Sequence, residues 1–174
     1  SMTIVTAGPA AATALSWTQT SPYNNLNVTA SWTKSASGTL SNQKIQFYSD
    51  GTCSTASGSL IDLTSSTAQT RAFTAPAAGT YTYKITSIDT ANNSTVSSCS
   101  SAIVIDTSAP LAASSLGWSQ TTPFNSLNVT AAWTKSTSGD LSNQKIQYYS
   151  DGTCTTSSGS LIDLSSSTAQ TNAF

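Results

Sequence analysis

The chain has 174 residues and a formal net charge of −1, with only 7% charged residues where about 25% is usual, so length allows one large domain or two small ones. All seven acids are Asp, and neither Glu nor His occurs, which excludes Ser-His-Asp and Cys-His catalysis and leaves a zinc site only Cys and Asp to use. There is no basic field to attract nucleic acid and no run of 18 apolar residues for membrane insertion, while 34 Ser and 30 Thr keep the surface polar.

In chain order, residues 1–9 hold a short apolar run, Met2-Thr3-Ile4-Val5, closed by Pro9. From residue 10 the apolar side chains recur at every second position between Ser, Asn, Gly and Pro, which is a strand signature. Leu15 and Trp17 form one run, and Val28, Ala30 and Trp32 the next. Ile45 and Phe47 share a face, with Lys44, Gln46 and Tyr48 opposite, before a turn at Ser49-Asp50-Gly51-Thr52. Then come Leu60-Ile61-Asp62-Leu63, Thr70-Arg71-Ala72-Phe73, the alternating Tyr81, Tyr83 and Ile85, and finally Ile103 with Ile105. Seven short strands and no helical period predict an all-β fold of the two-sheet sandwich kind. Helix is disfavoured because Ser, Thr and Asn compete with the helical backbone for hydrogen bonds.

At residue 111 the pattern starts again. An offset of 101 residues sets Leu15, Trp17, Trp32, Cys53, Asp62 and Phe73 over Leu116, Trp118, Trp133, Cys154, Asp163 and Phe174, with 48 identities in 64 ungapped positions. The same offset lays Met2-Thr3-Ile4-Val5 opposite Ile103-Val104-Ile105-Asp106. The expected organisation is a tail of a preceding repeat at 1–9, a complete repeat at 10–110, and a second repeat at 111–174 truncated before its last two strands. A fragment of a longer array, cut out of phase with its domains, has this form.

The segment Phe73-Thr74-Ala75-Pro76-Ala77-Ala78-Gly79-Thr80-Tyr81-Thr82-Tyr83-Lys84-Ile85 resembles the E-to-F corner of fibronectin type III domains. Trp32 fits that family's strand B tryptophan. Ile105-Asp106-Thr107-Ser108-Ala109-Pro110 is similar to the junctions between bacterial immunoglobulin-like repeats of large surface or adhesin proteins. The resemblance implies tandem immunoglobulin/fibronectin type III-like sandwiches, the second lacking strands F and G. It also implies that Tyr81 is a corner tyrosine with its hydroxyl bonded to upstream backbone.

Cys53 and Cys99 give two cysteines per complete repeat, which points to an intradomain disulfide, with free or intermolecular thiols as the alternative. Cys154 has no partner within its repeat and is a candidate unpaired or intermolecular thiol. Asp50, Asp62, Asp89 and Asp106 could suit calcium, but turn and capping roles explain each of them. Trp17 with Tyr23, and Trp118 with Phe124, are candidate platforms for stacking on a sugar, although their alternation with Leu15 and Leu116 argues for core.

No cofactor and no catalytic residue is expected. The expected function is a non-enzymatic stalk, spacer or adhesive unit of an extracellular bacterial surface fibre, its partner a host or prey glycan or protein. A carbohydrate-binding accessory module of a secreted enzyme is the alternative. An open second repeat further predicts strand-swapped self-association, with residues 2–7 as the candidate donor.

Overall fold

A computed structural model describes residues 6–174. They fall into two compact units, divided between Ser108 and Ala109. The expected donor segment lies largely outside the described residues. Of the rest of that segment, Thr6 and Ala7 are exposed; just after it, Gly8 sits so close to Ser94 that a Cβ there would come within 2.9 Å of its carbonyl oxygen.

In unit 1, β1 (Thr13–Trp17), β2 (Asn27–Thr33) and β5 (Thr70–Thr74) make one antiparallel sheet in the order β1-β2-β5. The second sheet has β4 (Ile61–Asp62), β3 (Leu40–Tyr48) and β6 (Gly79–Asp89) side by side. On the far edge of β6 lie β7 (Ser94–Val96) and β8 (Ile103–Ile105). This is an A-B-E sheet facing a C′-C-F-G sheet. The short β4 pairs with β3, where an immunoglobulin constant domain would place its fourth strand beside E.

The alternation read from sequence sets the inner faces. Val28, Ala30 and Trp32 of β2, Ile45 and Phe47 of β3, and Tyr81, Tyr83 and Ile85 of β6 are all buried. They divide into one cluster around Trp32, Phe47 and Tyr83 and another around Val28, Tyr81 and Ile105, with Trp17 and Phe73 packed against both. Tyr83 crosses the interior, donating its hydroxyl to the carbonyls of Ser16 and Ser31 on the opposite sheet. The Tyr81 hydroxyl donates to Ala77 O at 2.9 Å, the upstream bond of a corner tyrosine.

Among the described residues of unit 1, eight strands replace the seven expected from sequence. The additional one, β7, is Ser-Thr-Val and carries no apolar alternation. Between β7 and β8 the last strand breaks, and serine hydroxyls take over its ladder. Ser97 Oγ accepts from the Ile85 amide at 3.0 Å and Ser100 Oγ from the Tyr83 amide at 2.9 Å. Those two β6 amides would otherwise be buried without partners, a cost of about 1–3 kcal/mol each.

Unit 2 repeats the first sheet, with β9 (Ser114–Trp118), β10 (Thr130–Thr134) and β13 (Thr171–Ala173) in the order β13-β10-β9. Thr130 pairs with Ala173 as Thr29 pairs with Ala72, so the registers coincide at the 101-residue offset. The second sheet is reduced to β11 (Lys145–Ile146) against β12 (Ile162–Asp163). Where β3 runs for nine residues beside β6, β11 has two, because among the described residues no strand lines its other edge.

Candidate functional site

The sequence candidates fall into two environments. In unit 1, Cys53 and Cys99 are bonded, with Cα atoms 5.8 Å apart. Cys53 sits on the loop after β3, and its Sγ lies 3.3 Å from Thr82 Oγ1. The Thr82 hydroxyl in turn donates to Asp50 O at 2.8 Å. Thr82 has the opposite parity to Tyr81 and Tyr83, so the disulfide ties the β3–β4 loop to the broken last strand across the outward side of β6. It therefore differs from the inter-sheet disulfide of antibody domains. In unit 2, Cys154 is a free, exposed thiol.

Trp17 is half-buried and ringed by aromatic neighbours, stacked 6.1 Å from Phe47 and edge-on to Tyr83 at 5.2 Å. Its Nε1 donates to Ser101 O at 3.0 Å. Tyr23 is held by exchange of backbone hydrogen bonds, its amide to Val104 O and its carbonyl from the Asp106 amide. In unit 1 this pair belongs to the packing.

Trp118 departs from the core role expected of it: 50% of its surface is exposed. It keeps the stack on Tyr148 at 5.9 Å, the counterpart of the Trp17–Phe47 contact. No residue present in unit 2 corresponds to Tyr83 or Ser101. Phe124 is 45% exposed, and among the described residues nothing stands beside it as residues 104–106 stand beside Tyr23. Leu116 and Leu127 are bare as well, Leu127 at 96%.

Of these, Leu116 and Trp118 border two open grooves of unit 2. One, of about 200 Å³, is lined by Leu116, Trp133, Leu141, Gln144 and Ile146 among others. The other, of about 300 Å³, brings Trp118, Ala131, Ile146 and Tyr148 together with Asp151 and Cys154. In unit 1 the counterparts of these positions are Trp17, Ala30, Ile45, Phe47, Asp50 and Cys53, all of which touch or flank β6.

The carboxylates are committed to their own turns. Partial desolvation opposes ionisation of Asp50, but amides of Thr52, Ser54 and Thr55 and the Ser54 hydroxyl outweigh it and hold the carboxyl well below its ordinary range. Asp151 repeats this with amides of Thr155, Thr156 and Thr153. Asp62 is lowered first by the Asn42 side-chain amide and then by the Thr64 amide, with Lys44 Nζ at 3.7 Å. Asp89 is lowered chiefly by the Asn93 side chain and accepts the Ala91 amide, and Asp106 accepts the Ser108 amide at 3.0 Å.

One repeated polar residue escaped the sequence reading. Gln43 is fully buried, accepts from Trp32 Nε1 at 2.9 Å and donates to Ala68 O at 2.9 Å. Gln144 does the same with Trp133 and Ala169. The available signal was parity, since Gln43 shares the inward face with Ile45 and Phe47.

The strand order and corner tyrosine define the class: an immunoglobulin/fibronectin type III-like β-sandwich, present once in full and once in part. No family model and no curated protein matches the chain. Among solved structures it is similar to the crystal structure of chicken CNTN1 FN1-FN3 domains, at 12% sequence identity and a TM-score of 0.47. The match covers 95% of this chain and 56% of that one, so the chain spans about half the length of that structure.

Proposed function

We propose that the chain is a non-catalytic tandem module of an extracellular, bacterial surface or fibre protein, serving as stalk, spacer or adhesive unit. The observation that carries this is duplication with its framework intact. Trp32 and Trp133, Gln43 and Gln144, Asp50 and Asp151, and Asp62 and Asp163 recur at one offset with matching hydrogen bonds. Selection on such a chain preserves a shape and repeats it. The disulfide of unit 1 supports an oxidising compartment.

A spacer adds length in fixed steps. The 11 residues of β6 rise by about 3.3 Å each, so a module contributes roughly 35–40 Å. Small-angle scattering on chains with two, three and four complete repeats tests this. A constant increment in maximum dimension is expected, whereas growth with the square root of repeat number would overturn the spacer reading.

The carbohydrate-binding alternative draws its support only from Trp118 and Phe124, because unit 1 wraps Trp17 in Phe47, Phe73 and Tyr83. A glycan array probed with the chain separates the two readings: glycan binding lost on Trp118→Ala would favour the alternative, and a blank array the spacer.

A further inference from the structure

We infer that the Cys53–Cys99 disulfide is a reversible redox latch. Reduction by a dithiol releases the strap of residues 97–101 from the edge of β6, while Cys53 and both sheets of unit 1 stay in place. The inference concerns unit 1 alone and goes beyond the spacer reading.

Apart from the disulfide, the strap is held by hydrogen bonds. Residues 97–101 read Ser-Ser-Cys-Ser-Ser, and neither core cluster includes any of them. Ser97 and Ser100 donate their amides to the carbonyls of Ile85 and Tyr83 at 2.8 and 3.0 Å, and their hydroxyls accept the amides of the same two residues. Ser101 O accepts the indole N–H of Trp17. A segment with no buried apolar side chain opens at lower free energy than a sandwich held by Trp32, Phe47, Tyr83 and their neighbours. Ile103 and Ile105 of β8, both in the second cluster, keep the far end of the strap anchored.

Cys53 is held by other means. Its backbone has a φ of 56°, and the loop around it is fixed by Asp50, whose carboxylate accepts the amides of Thr52, Ser54 and Thr55. None of those bonds involves Cys99. Acceptors for a Cys53 thiol are already in position, with Sγ 3.3 Å from Thr82 Oγ1 and 3.6 Å from Tyr83 O. Reduced Cys53 therefore stays hydrogen-bonded on the outward side of β6, where the returning strap can meet it and the bond re-form.

The chemistry of the latch is thiol–disulfide exchange. Cys99 is half-buried and Cys53 only 7% exposed, so attack falls on the Cys99 sulfur. One thiolate of the dithiol bonds to that sulfur, the Cys53–Cys99 bond breaks, and Cys53 leaves as a thiolate that takes up a proton. The second thiolate of the dithiol then attacks its partner sulfur in the mixed disulfide. Cys99 leaves and is protonated in turn, and the dithiol departs oxidised, as its own disulfide.

The test uses the whole chain carrying Cys154→Ser, so that no third thiol takes part, with dithiothreitol as the dithiol in native buffer. The references are the amides of Ala30 and Ile45, which lie mid-ladder in β2 and β3. On reduction, hydrogen exchange at the Tyr83 and Ile85 amides and at the Trp17 indole N–H should quicken by at least about tenfold relative to those references. Exchanging dithiothreitol for oxidised glutathione should restore the original ratio without an unfolding step. Equal acceleration at all four amides would mean that reduction unfolds the sandwich as a whole, and would overturn the inference. So would an unchanged ratio in a chain that mass spectrometry shows to be reduced, or a disulfide that dithiothreitol reaches only after denaturant is added.

Discussion

At the residue scale, buried polar groups decide more than charges do. Gln43 satisfies the indole of Trp32 and loop carbonyls from inside an apolar face. Gln43→Leu keeps the volume and strands those partners, so a loss of about 1–3 kcal/mol is expected in chemical denaturation. Ser87 is the contrasting case. Its hydroxyl is buried without a hydrogen-bond partner. Ser87→Ala removes an unmatched group, and stability should stay within about 0.5 kcal/mol or rise by up to about 1. Tyr83 titrates in the opposite direction to the aspartates, since burial pushes its hydroxyl up to about 12. A group whose folded value is raised stabilises fully below its unfolded value of about 10 and loses that contribution as pH climbs through about 12. Tyr83→Phe should therefore flatten the alkaline limb of unit 1's stability curve.

At the element scale, the last strand of unit 1 is assembled from two short pieces because Cys99 has to leave the ladder to reach Cys53. The hydroxyls of Ser97 and Ser100 bridge the gap. Replacing both with Ala should cost about 1–3 kcal/mol per orphaned β6 amide, and native-state hydrogen exchange should quicken first at Ile85 and Tyr83. The disulfide separates its cysteines by 46 residues, for which chain-entropy arguments give about 4 kcal/mol. Strands whose inner face is apolar were legible from period-2 alternation, β2, β3 and β6 above all. Strand β7 was not, because its pairing is made by backbone and its Ser-Thr-Val sequence announces no buried face. Gln43 was missed for a related reason: a polar side chain on an inward position reads as an exception until its partners are seen.

At the scale of the whole molecule, two copies of almost one sequence occupy different environments. Unit 1 is covered on both sides of its core, while unit 2 exposes Leu116, Trp118, Leu127 and Phe174. Calorimetry should resolve two transitions. Reductant should lower only the one belonging to unit 1, where the disulfide is. Acid acts on both units, because Asp50, Asp62, Asp89, Asp151 and Asp163 are all held below their ordinary values. Such groups stabilise above the unfolded value of about 3.9 and lose that contribution as pH falls through the folded one, so stability should be level from pH about 5 to 8 and decline below about 4. With no His in the chain, nothing with an ordinary pKa near 6.5 disturbs that plateau. Asp50→Asn should soften the acid decline of unit 1.

The sequence by itself determined the all-β class, the 101-residue repeat and the parity of the inner faces, while the role of Tyr81 was what its resemblance to a fibronectin type III corner implied. These follow from short-range rules: the pleat alternates side chains, turns demand particular residues, and duplication copies both. Tertiary structure alone decided that the disulfide crosses the outward side of β6, that Gln43 is an interior ligand of Trp32, and that Trp17 is packed while Trp118 is half-exposed. Those outcomes depend on which distant strand lies alongside, and identical local sequences carry no record of their neighbours.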